Sequence, residues 1–519
     1  MSHNETGERA YFGDLHNHCN MSYAHGDLED ALRNAQQRLD FCSVTGHAHW
    51  PDMPEGNEHT EHIVAFHKRG FEKLKGNWSH ALEAFAHAEQ PGRFITFPSF
   101  EVHSSEDGDR AIIYRDTTGE LLYPDNVREL DRRLAALTDE GKPAVGLPHH
   151  IGYHQGARGI NWDTFDSQTS PLVEIYSMHG AAESTEGPLP FLHSMGPADW
   201  KSTMQYGLEQ GHVFGFAANT DHHSAHPGSY GHGMTGVWSA ELERRALWDA
   251  LTARRTFAMT GDKMRLDYTL GGTPMGGMRS PGHPGRLSIR LDGGAPLDYL
   301  EVLHNNRVAR RISAPEMRPA ADAEGAGETS TEAYIRTKLY LEVGWGPRGK
   351  PAQWEVDLGV DGGELVEVEP RFRGPEVLSP EQEADAPGSA FYSWCRRVDE
   401  QRVHFETTTY GNPTTSTPGT QGVCLDVVLS PDARIWAVIN GVRTETTVNR
   451  LRAGGKSGHL RHEIDSPAWL FHRLPEPWEL SWNLSIDDFT HELQVGDWIY
   501  LRARQKNNQW AWGSPVFVR

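Results

Sequence analysis

The chain has 519 residues, of which 37% are hydrophobic and 23% are charged, and its formal net charge is −22. Because this length exceeds what a single hydrophobic core usually serves, we expect two domains, and the apolar content excludes disorder as the main state. The acidic balance argues against a protein whose main task is to bind nucleic acid.

The first half of the chain alternates short apolar runs with helical patterns, which is typical of a parallel α/β fold. Apolar runs predict strands over residues 11–15, 41–45, 94–102, 111–114, 144–147, 172–176 and 213–218. Helical spacing predicts a helix that begins after Asp27, a second helix around residues 78–86, and further helices over 126–138, 197–209 and 241–254.

After about residue 260 the pattern changes to alternating strands separated by glycine-rich turns. Examples of these strands are residues 286–291, 299–303, 423–429 and 498–503. This pattern is typical of an antiparallel β-sandwich. Two stretches, 313–333 and 367–390, are predicted to be long surface loops.

The four cysteines lie far apart and none forms a CxxC pair, so a disulfide scaffold and a cysteine zinc site are both disfavoured. We therefore expect a reducing, cytoplasmic location. The N-terminus is polar and predicts no signal peptide. No apolar run approaches the ~20 residues that a membrane helix needs, so we expect no membrane partner.

Histidine is concentrated in the first half, where 22 of the 29 histidines fall between His3 and His232. Metal binding is a common use of dense imidazole. The candidate ligands follow successive predicted strands: His16 and His18, then His47, Glu101, His149 or His150, His179, and finally Asp221 with His223. In a barrel of parallel strands these positions converge at the carboxyl ends, which is where such folds hold their active sites.

Each of these groups alone has an ordinary interpretation. An H-x-H pair occurs by chance in loops, and a single His47 or Glu101 is more often a satisfied polar group than a ligand. The pair His149 and His150 is consistent with a polar loop. Six such groups at six successive strand ends are improbable by chance, and this favours a metal centre.

The sequence resembles the PHP (polymerase and histidinol phosphatase) superfamily of metallohydrolases. The matching stretches are GDLHNH over residues 13–18, His25, VTGH over 44–47, FPSFE over 97–101, LPHH over 147–150, SMHG over 177–180 and NTDHH over 219–223. The resemblance covers roughly residues 10–262 and implies a distorted (β/α)7 barrel. The expected domains are this metal-binding barrel over 1–262 and the β-sandwich over 263–519.

More narrowly, the chain resembles a branch of that superfamily related to carbaryl-hydrolase-type metallohydrolases, in which a β-rich tail follows the barrel. The stretches that carry this likeness are EIYSMHG over 174–180, ALTARRT over 250–256 with Thr260 and Gly261, and WAWGSP over 510–515. The chain departs from the pattern at Gly46, where the family usually has an acid, so a partner that orients a ligand is missing there or comes from elsewhere.

The resemblance implies nine ligands and two or three divalent ions per chain. One ion takes His16, His18, Glu101 and Asp221, a second shares Glu101 and adds His149 and His179, and a third takes His25, His47 and His223. Spacing leaves open whether His149 or His150 coordinates. Imidazole and carboxylate ligands without thiolate fit Zn, Mn or Fe.

The expected chemistry is hydrolysis of a small-molecule ester by a metal-bound hydroxide, because such ions lower the pKa of bound water towards ~7. A phosphoester is the first choice of substrate, and an amide or carbamate ester is the alternative. A non-catalytic binding module with a relic barrel is the alternative from another class. No nucleic-acid partner is expected, and an oligomer remains open.

Five residues receive roles in this hypothesis. Glu101 and Asp221 are the expected catalytic carboxylates. His150 either protonates the leaving group or contacts a metal ligand without binding the ion itself. Arg158 and His226 are candidates for contact with the substrate. The ordinary alternatives for these last two are a solvated loop arginine and a loop histidine.

Overall fold

A computed structural model describes residues 4, 6–187, 189–191, 195–319, 334–347, 350–375, 393–410, 419–462, 464–487 and 489–519. The chain is a mixed α/β structure that is rich in strands. The described strands form five sheets, and none of the five closes into a barrel.

The first half contains twelve of the described strands and five of the described α-helices. The strands are β1 (Arg9–Asp14), β2 (Phe41–Cys42), β3 (Thr45–His49), β4 (Ile95–Thr96), β5 (Ser99–Val102), β6 (Arg110–Tyr114), β7 (Ala144–Pro148), β8 (Leu172–Ser177), β9 (Gly180–Ala181), β10 (Gly215–Ala218), β11 (Met234–Ser239) and β12 (Thr256–Met259). The helices are α1 (Leu28–Gln36), α2 (Glu61–Ala88), α3 (Val127–Asp139), α4 (Met204–Glu209) and α5 (Arg244–Thr252).

The second half is almost entirely strands. They are β13 (Arg265–Leu270), β14 (Thr273–Pro274), β15 (Met278–Arg279), β16 (Leu287–Asp292), β17 (Leu297–His304), β18 (Arg307–Ser313), β19 (Ile335–Gly344), β20 (Pro351–Arg371), β21 (Trp394–Arg397), β22 (Arg402–Tyr410), β23 (Gln421–Ile439), β24 (Val442–Thr447), β25 (Lys456–His459), β26 (Ala468–Phe471), β27 (Ser481–Ile486), β28 (Trp498–Gln505) and β29 (Trp510–Val518). Three short helices accompany them: α6 (Ala314–Met317), α7 (Val448–Ala453) and α8 (Pro477–Leu480).

The predicted distorted (β/α)7 barrel is not confirmed, because the strands of the first half divide among three sheets. One sheet has the order β18-β17-β28-β29-β12-β11-β1-β2-β4, with β15 beside β29. The other two sheets of the first half are β3-β5-β6-β7 and β10-β8-β9. The predicted two-sheet sandwich is also not confirmed: the second half supplies β14-β13-β16-β27, the sheet β21-β22-β20-β23-β19-β26-β25 with β24, and part of the first sheet.

Within each of these sheets, parallel strands nevertheless put the loops that carry the candidate ligands at the same end. Strand β1 pairs in parallel with β2, β3 with β5, and β8 with β10. Strands β5 and β7 both pair antiparallel with β6, so they run in the same direction. Polar residues that follow or end these strands can therefore meet on one side of the molecule.

Helix α1 shows how the local sequence produces these elements. It begins directly after Asp27, as predicted, and buries Leu28, Ala31, Leu32 and Ala35, which recur at helical spacing. The predicted helix over 197–209 is shorter in the structure: a 3₁₀ turn occupies Trp200–Ser202, and α4 begins only at Met204 because Thr203 caps it, accepting a hydrogen bond from the Tyr206 N–H.

Of the two predicted loops, the first lies mostly outside the described residues, apart from α6 and its flanks. The second is replaced over residues 367–371 by the end of β20, and 376–390 lie outside the described residues. Among the helices that the structure describes, none combines the length and the apolar character needed to cross a membrane.

Candidate metal centre

Glu101 lies at the centre of the candidate site. It sits on β5 and is 2% exposed. Its Oε2 atom has no hydrogen-bond partner among the described residues. Three imidazole Nε2 atoms surround this oxygen, from His16 at 3.6 Å, His18 at 3.5 Å and His47 at 3.6 Å. Ligand atoms that share one ion at bonds of ~2.0–2.2 Å stand roughly 3–3.5 Å apart, so this spacing suits a cation better than hydrogen bonds.

His16 and His18 follow β1 and direct their Nε2 atoms at each other, 3.2 Å apart. The Nδ1 atom of His18 donates to the Thr45 carbonyl (2.7 Å), and that of His16 donates to Glu174 Oε2 (3.0 Å). With Nδ1 protonated, a neutral imidazole has its lone pair on Nε2. When both rings are neutral, two lone pairs face each other, and either a proton or a metal ion between them relieves this contact.

Asp221 follows β10 and contacts the same two imidazoles. Its Oδ1 atom lies 3.0 Å from His18 Nε2 and 3.4 Å from His16 Nε2, and its Oδ2 atom lies 2.7 Å from His179 Nε2. Its backbone has φ +52°, a left-handed conformation that aspartate tolerates better than most residues. The Asp221 N–H donates to the His16 carbonyl (2.8 Å), and this bond ties the loop after β10 to the loop after β1.

His149 and His150 follow β7 and take different positions. The Nε2 atom of His149 lies 3.2 Å from Glu101 Oε1, and neither of its ring nitrogens has a hydrogen-bond partner among the described residues. His150 instead points to Asp109, with 3.3 Å between Nε2 and Oδ2. This geometry makes His149 the better placed of the two to share an ion with Glu101.

A third group of ligand atoms consists of His18, His47 and His223, whose nitrogens lie within 4.8 Å of one another. The His223 Nδ1 atom donates to the Asp221 carbonyl (2.8 Å). His25 lies next to this group, because its backbone N–H donates to the His223 carbonyl (2.9 Å). Among the described residues, the His25 side chain is not part of any set of three ligand atoms this close together.

The buried charged groups of the site shift one another's pKa values. Burial alone would raise the pKa of Glu101, but His103, His149 and His47 lower it well below its usual value. Burial also opposes a charge on His16, yet Asp221, Glu174 and Glu101 raise its pKa well above the usual value. The buried carboxylates therefore attract positive charge into this pocket.

A second layer of polar residues lies behind Glu101, around Asp109. The Asp109 carboxylate accepts hydrogen bonds from His103 Nδ1 (3.0 Å) and Arg158 Nε (2.6 Å). Burial would raise the pKa of Asp109, but Arg158 and His103 lower it well below its usual value. The Arg158 guanidinium also lies over the Trp50 ring, 5.5 Å from its centroid, and its Nη2 atom is 3.7 Å from Glu101 Oε1.

Comparisons with known proteins find relatives without an assigned activity. A family model described as "Protein of unknown function (DUF3604)" matches residues 198–273, a segment that contains Asp221 and His223. An uncharacterized protein of Chlamydia pneumoniae is 24% identical over 251 residues, which are 44% of this chain and 40% of that protein. One of Chlamydia trachomatis is 27% identical over 167 residues, 29% of this chain and 27% of that protein. The chain thus spans less than half the length of these curated relatives.

Among solved structures, a two-domain protein of Bacteroides vulgatus is similar to this chain. It is described as containing a predicted PHP-like metal-dependent phosphoesterase. It is 14% identical, the TM-score is 0.31, and the alignment covers 58% of this chain and 82% of that one.

The structure brings together most of the residues singled out in the sequence. One cluster, buried except for the partly exposed His223, contains most of them, and we call it the histidine–carboxylate cluster: His16, His18, His47, Glu101, His149, His179, Asp221 and His223. His150 and Arg158 lie in the second layer around Asp109. His226 is not in the cluster, and its ring centroid lies 6.0 Å from that of His222.

Several residues of the site were not identified from the sequence. Glu174 on β8 orients His16, and Tyr153 shares a 2.8 Å hydrogen bond with His179 Nδ1. His103 was detectable, because residues two apart on a strand share a face and Glu101 was already a candidate. Nothing in the local sequence marks Asp109, which reaches the site from the turn after β5.

Proposed function

We propose that this chain is a hydrolase that depends on two or three divalent metal ions and cleaves a small-molecule phosphoester. The observation that carries the proposal is the buried Oε2 of Glu101, which lacks a hydrogen bond within the described part of the chain and faces three imidazole Nε2 atoms at 3.5–3.6 Å. A buried carboxylate oxygen left without a partner is costly unless a cation completes it.

The donor set fits Zn, Mn or Fe, since it consists of imidazole and carboxylate without thiolate. Glu101 and Asp221 would hold ions together with the histidines of the cluster. When bound, such ions acidify water and neutralise charge that develops on the oxygens of an ester. The expected distorted (β/α)7 arrangement is part of the same proposal, supported by the parallel pairs β1–β2, β3–β5 and β8–β10.

The residues of the second layer have separate roles in this proposal. Arg158 is 20% exposed and is held by Asp109 and Trp50, so its guanidinium is pre-oriented to attract an anionic group. His150 lies against Asp109, and burial lowers its pKa to about 4, so it is neutral near pH 7; it would first take a proton from the attacking water and then pass it to the leaving group. Its backbone has φ +32°, and strain of this kind is concentrated at functional sites.

A carbamate or amide ester is the second candidate substrate, and the His150–Asp109 pair favours it. Attack at a carbonyl carbon needs fewer cations than phosphoryl transfer but does need a proton donor for the leaving group. A cytoplasmic location belongs to the proposal as well, supported by four cysteines that are all free thiols.

The test begins with elemental analysis of the purified protein, for which we expect two or three Zn, Mn or Fe ions per chain. Less than one ion, with no rebinding of these metals, contradicts the proposal. The second step compares kcat/KM for an aryl phosphate and a naphthyl N-methylcarbamate, and repeats both with His223→Ala, which removes a member of the third group of ligand atoms. We expect the phosphate to be the better substrate. If the carbamate wins by tenfold or more and His223→Ala leaves it unchanged, the second candidate replaces the first.

A further inference from the structure

The loop that carries Asp221 and His223 is held from two sides. We call residues 219–232 the metal loop. On one side it bonds to the segment after β1: the His18 N–H donates to the His222 carbonyl (2.8 Å), and the Ala225 N–H donates to the His18 carbonyl (3.1 Å). These bonds join two ligand-bearing segments directly to each other.

On its other side, the metal loop meets a segment from the second half of the chain. Residues 371–374, which we call the bridging segment, begin at the last residue of β20 and continue beyond it. The Tyr230 N–H donates to the Phe372 carbonyl (2.9 Å), and the Gly374 N–H donates to Ser229 Oγ (3.0 Å). The Arg371 guanidinium pairs with Asp262 (3.2 Å), whose Oδ1 atom also accepts from the Tyr230 hydroxyl.

The bridging segment is itself anchored to the sheet of the second half. The Arg373 N–H donates to Gln421 Oε1 (2.7 Å), and Gln421 Nε2 donates back to the Arg373 carbonyl (2.9 Å). The Arg373 side chain donates to the Thr420 carbonyl (2.9 Å). Since Gln421 begins β23, the segment links the metal loop to a strand in the middle of that sheet.

Gly374 makes the closest approach to the metal loop. A Cβ atom at this position would lie 2.5 Å from His226 Cβ and 2.6 Å from His222 Cε1. His222 is fully buried, and its Nε2 atom, which has no hydrogen-bond partner in the described part of the chain, would lie 2.8 Å from that Cβ. The φ of Gly374 is not positive, so the lack of space and not the backbone conformation requires glycine here.

We propose that the bridging segment is a positioning element of the metal centre, through which the second half of the chain sets the metal loop. His222 lies between Asp221 and His223, so a shift of His222 moves both of these cluster residues. The segment positions these ligands and does not touch the reacting atoms. This inference rests on the proposed function, because it assumes that the histidine–carboxylate cluster holds ions.

The test measures metal binding by the full chain and not activity alone. Gly374→Ala pushes a methyl group against His222 and His226, and we expect the weakest-bound Mn²⁺ or Zn²⁺ ion to bind about 10- to 100-fold less tightly, the range for residues that orient ligands. The matched control is Gly346→Ala, also in the second half, where a Cβ meets nothing closer than 3.4 Å and φ is not positive. Calorimetric titration of chelator-treated protein gives the affinities, and circular dichroism monitors folding.

Ser229→Ala is the milder second variant, because it only removes the acceptor of the Gly374 N–H. We expect a smaller loss of metal affinity with a folded protein. Wild-type affinity in both variants, or an equal loss in Gly346→Ala, overturns the inference while leaving the proposed function intact. A wild-type protein that binds no ion overturns the proposed function and the inference with it.

Discussion

Replacing Glu101 by glutamine removes one negative charge from the centre of the cluster and keeps the shape of the side chain. The two oxygens of Glu101 lie 3.0–3.7 Å from nitrogen atoms of His16, His18, His47, His103, His149 and Arg158. Two of the proposed ions share this residue. The substitution therefore weakens the binding of both ions.

The expected loss of metal affinity follows from the free energy of a contact to a charged group. A hydrogen bond or ligand contact to a charged group contributes about 1.5–3 kcal/mol, and each 1.36 kcal/mol is a factor of ten. We therefore expect Glu101→Gln to bind each of the two ions about 10- to 150-fold less tightly. Hydrolytic activity at limiting metal should fall at least as far.

The assay is dialysis against a series of buffered Zn²⁺ or Mn²⁺ concentrations followed by elemental analysis, with circular dichroism to show that the variant is folded. Glu106→Gln is the control, because Glu106 lies five residues further on and its side chain is exposed. If Glu101→Gln retains wild-type metal content and wild-type activity, the cluster is not the metal centre and the reasoning fails.

Three further predictions can be tested on the same preparations. Asp221→Asn should abolish turnover and keep the fold, since asparagine tolerates φ +52° while losing the charge; a normal kcat in this variant contradicts the assigned role. Arg158→Lys should raise KM for an aryl phosphate about tenfold with a smaller change in kcat, because lysine has no planar guanidinium to pair with Asp109. An unchanged KM in steady-state kinetics excludes contact between Arg158 and the substrate. Burial raises the pKa of Cys19, Cys395 and Cys424 to about 12. Maleimide at pH 8 should therefore label the native protein much more slowly than it labels the four thiols of the urea-unfolded chain. Equal labelling rates contradict this burial.

Several elements of the first half could be predicted because apolar periodicity is a local property. Helix α1 begins after Asp27 and strand β6 occupies Arg110–Tyr114, both close to their predicted positions. The way in which strands group into sheets is not local. The strand predicted over 41–45 divides into β2 and β3, which belong to different sheets, and no feature of the sequence FCSVT indicates this division.

The candidate site shows the same division between local and distant information. Candidate ligands such as His16 and Glu101 lie just after a strand or near its end in recognisable motifs, so their convergence could be expected from strand direction. Asp109 binds Arg158 and Glu174 binds His16 through side-chain hydrogen bonds between residues distant in sequence, and spacing contains no signal for such contacts. The contact of His226 with Gly374 joins the two halves, and it could not be expected from either half separately.

The first sheet has a consequence for the order in which the protein folds. Strand β12 pairs with β29, and Thr256 hydrogen-bonds to Ser514, which is 258 positions later in the chain. During synthesis, this edge of β12 stays unpaired until β29 has been made, because β29 is its partner. Pairing over such a separation is slow, and an open strand edge invites association with other chains. Expression of residues 1–262 alone would make this exposure permanent, whereas the full chain ends it when β29 arrives.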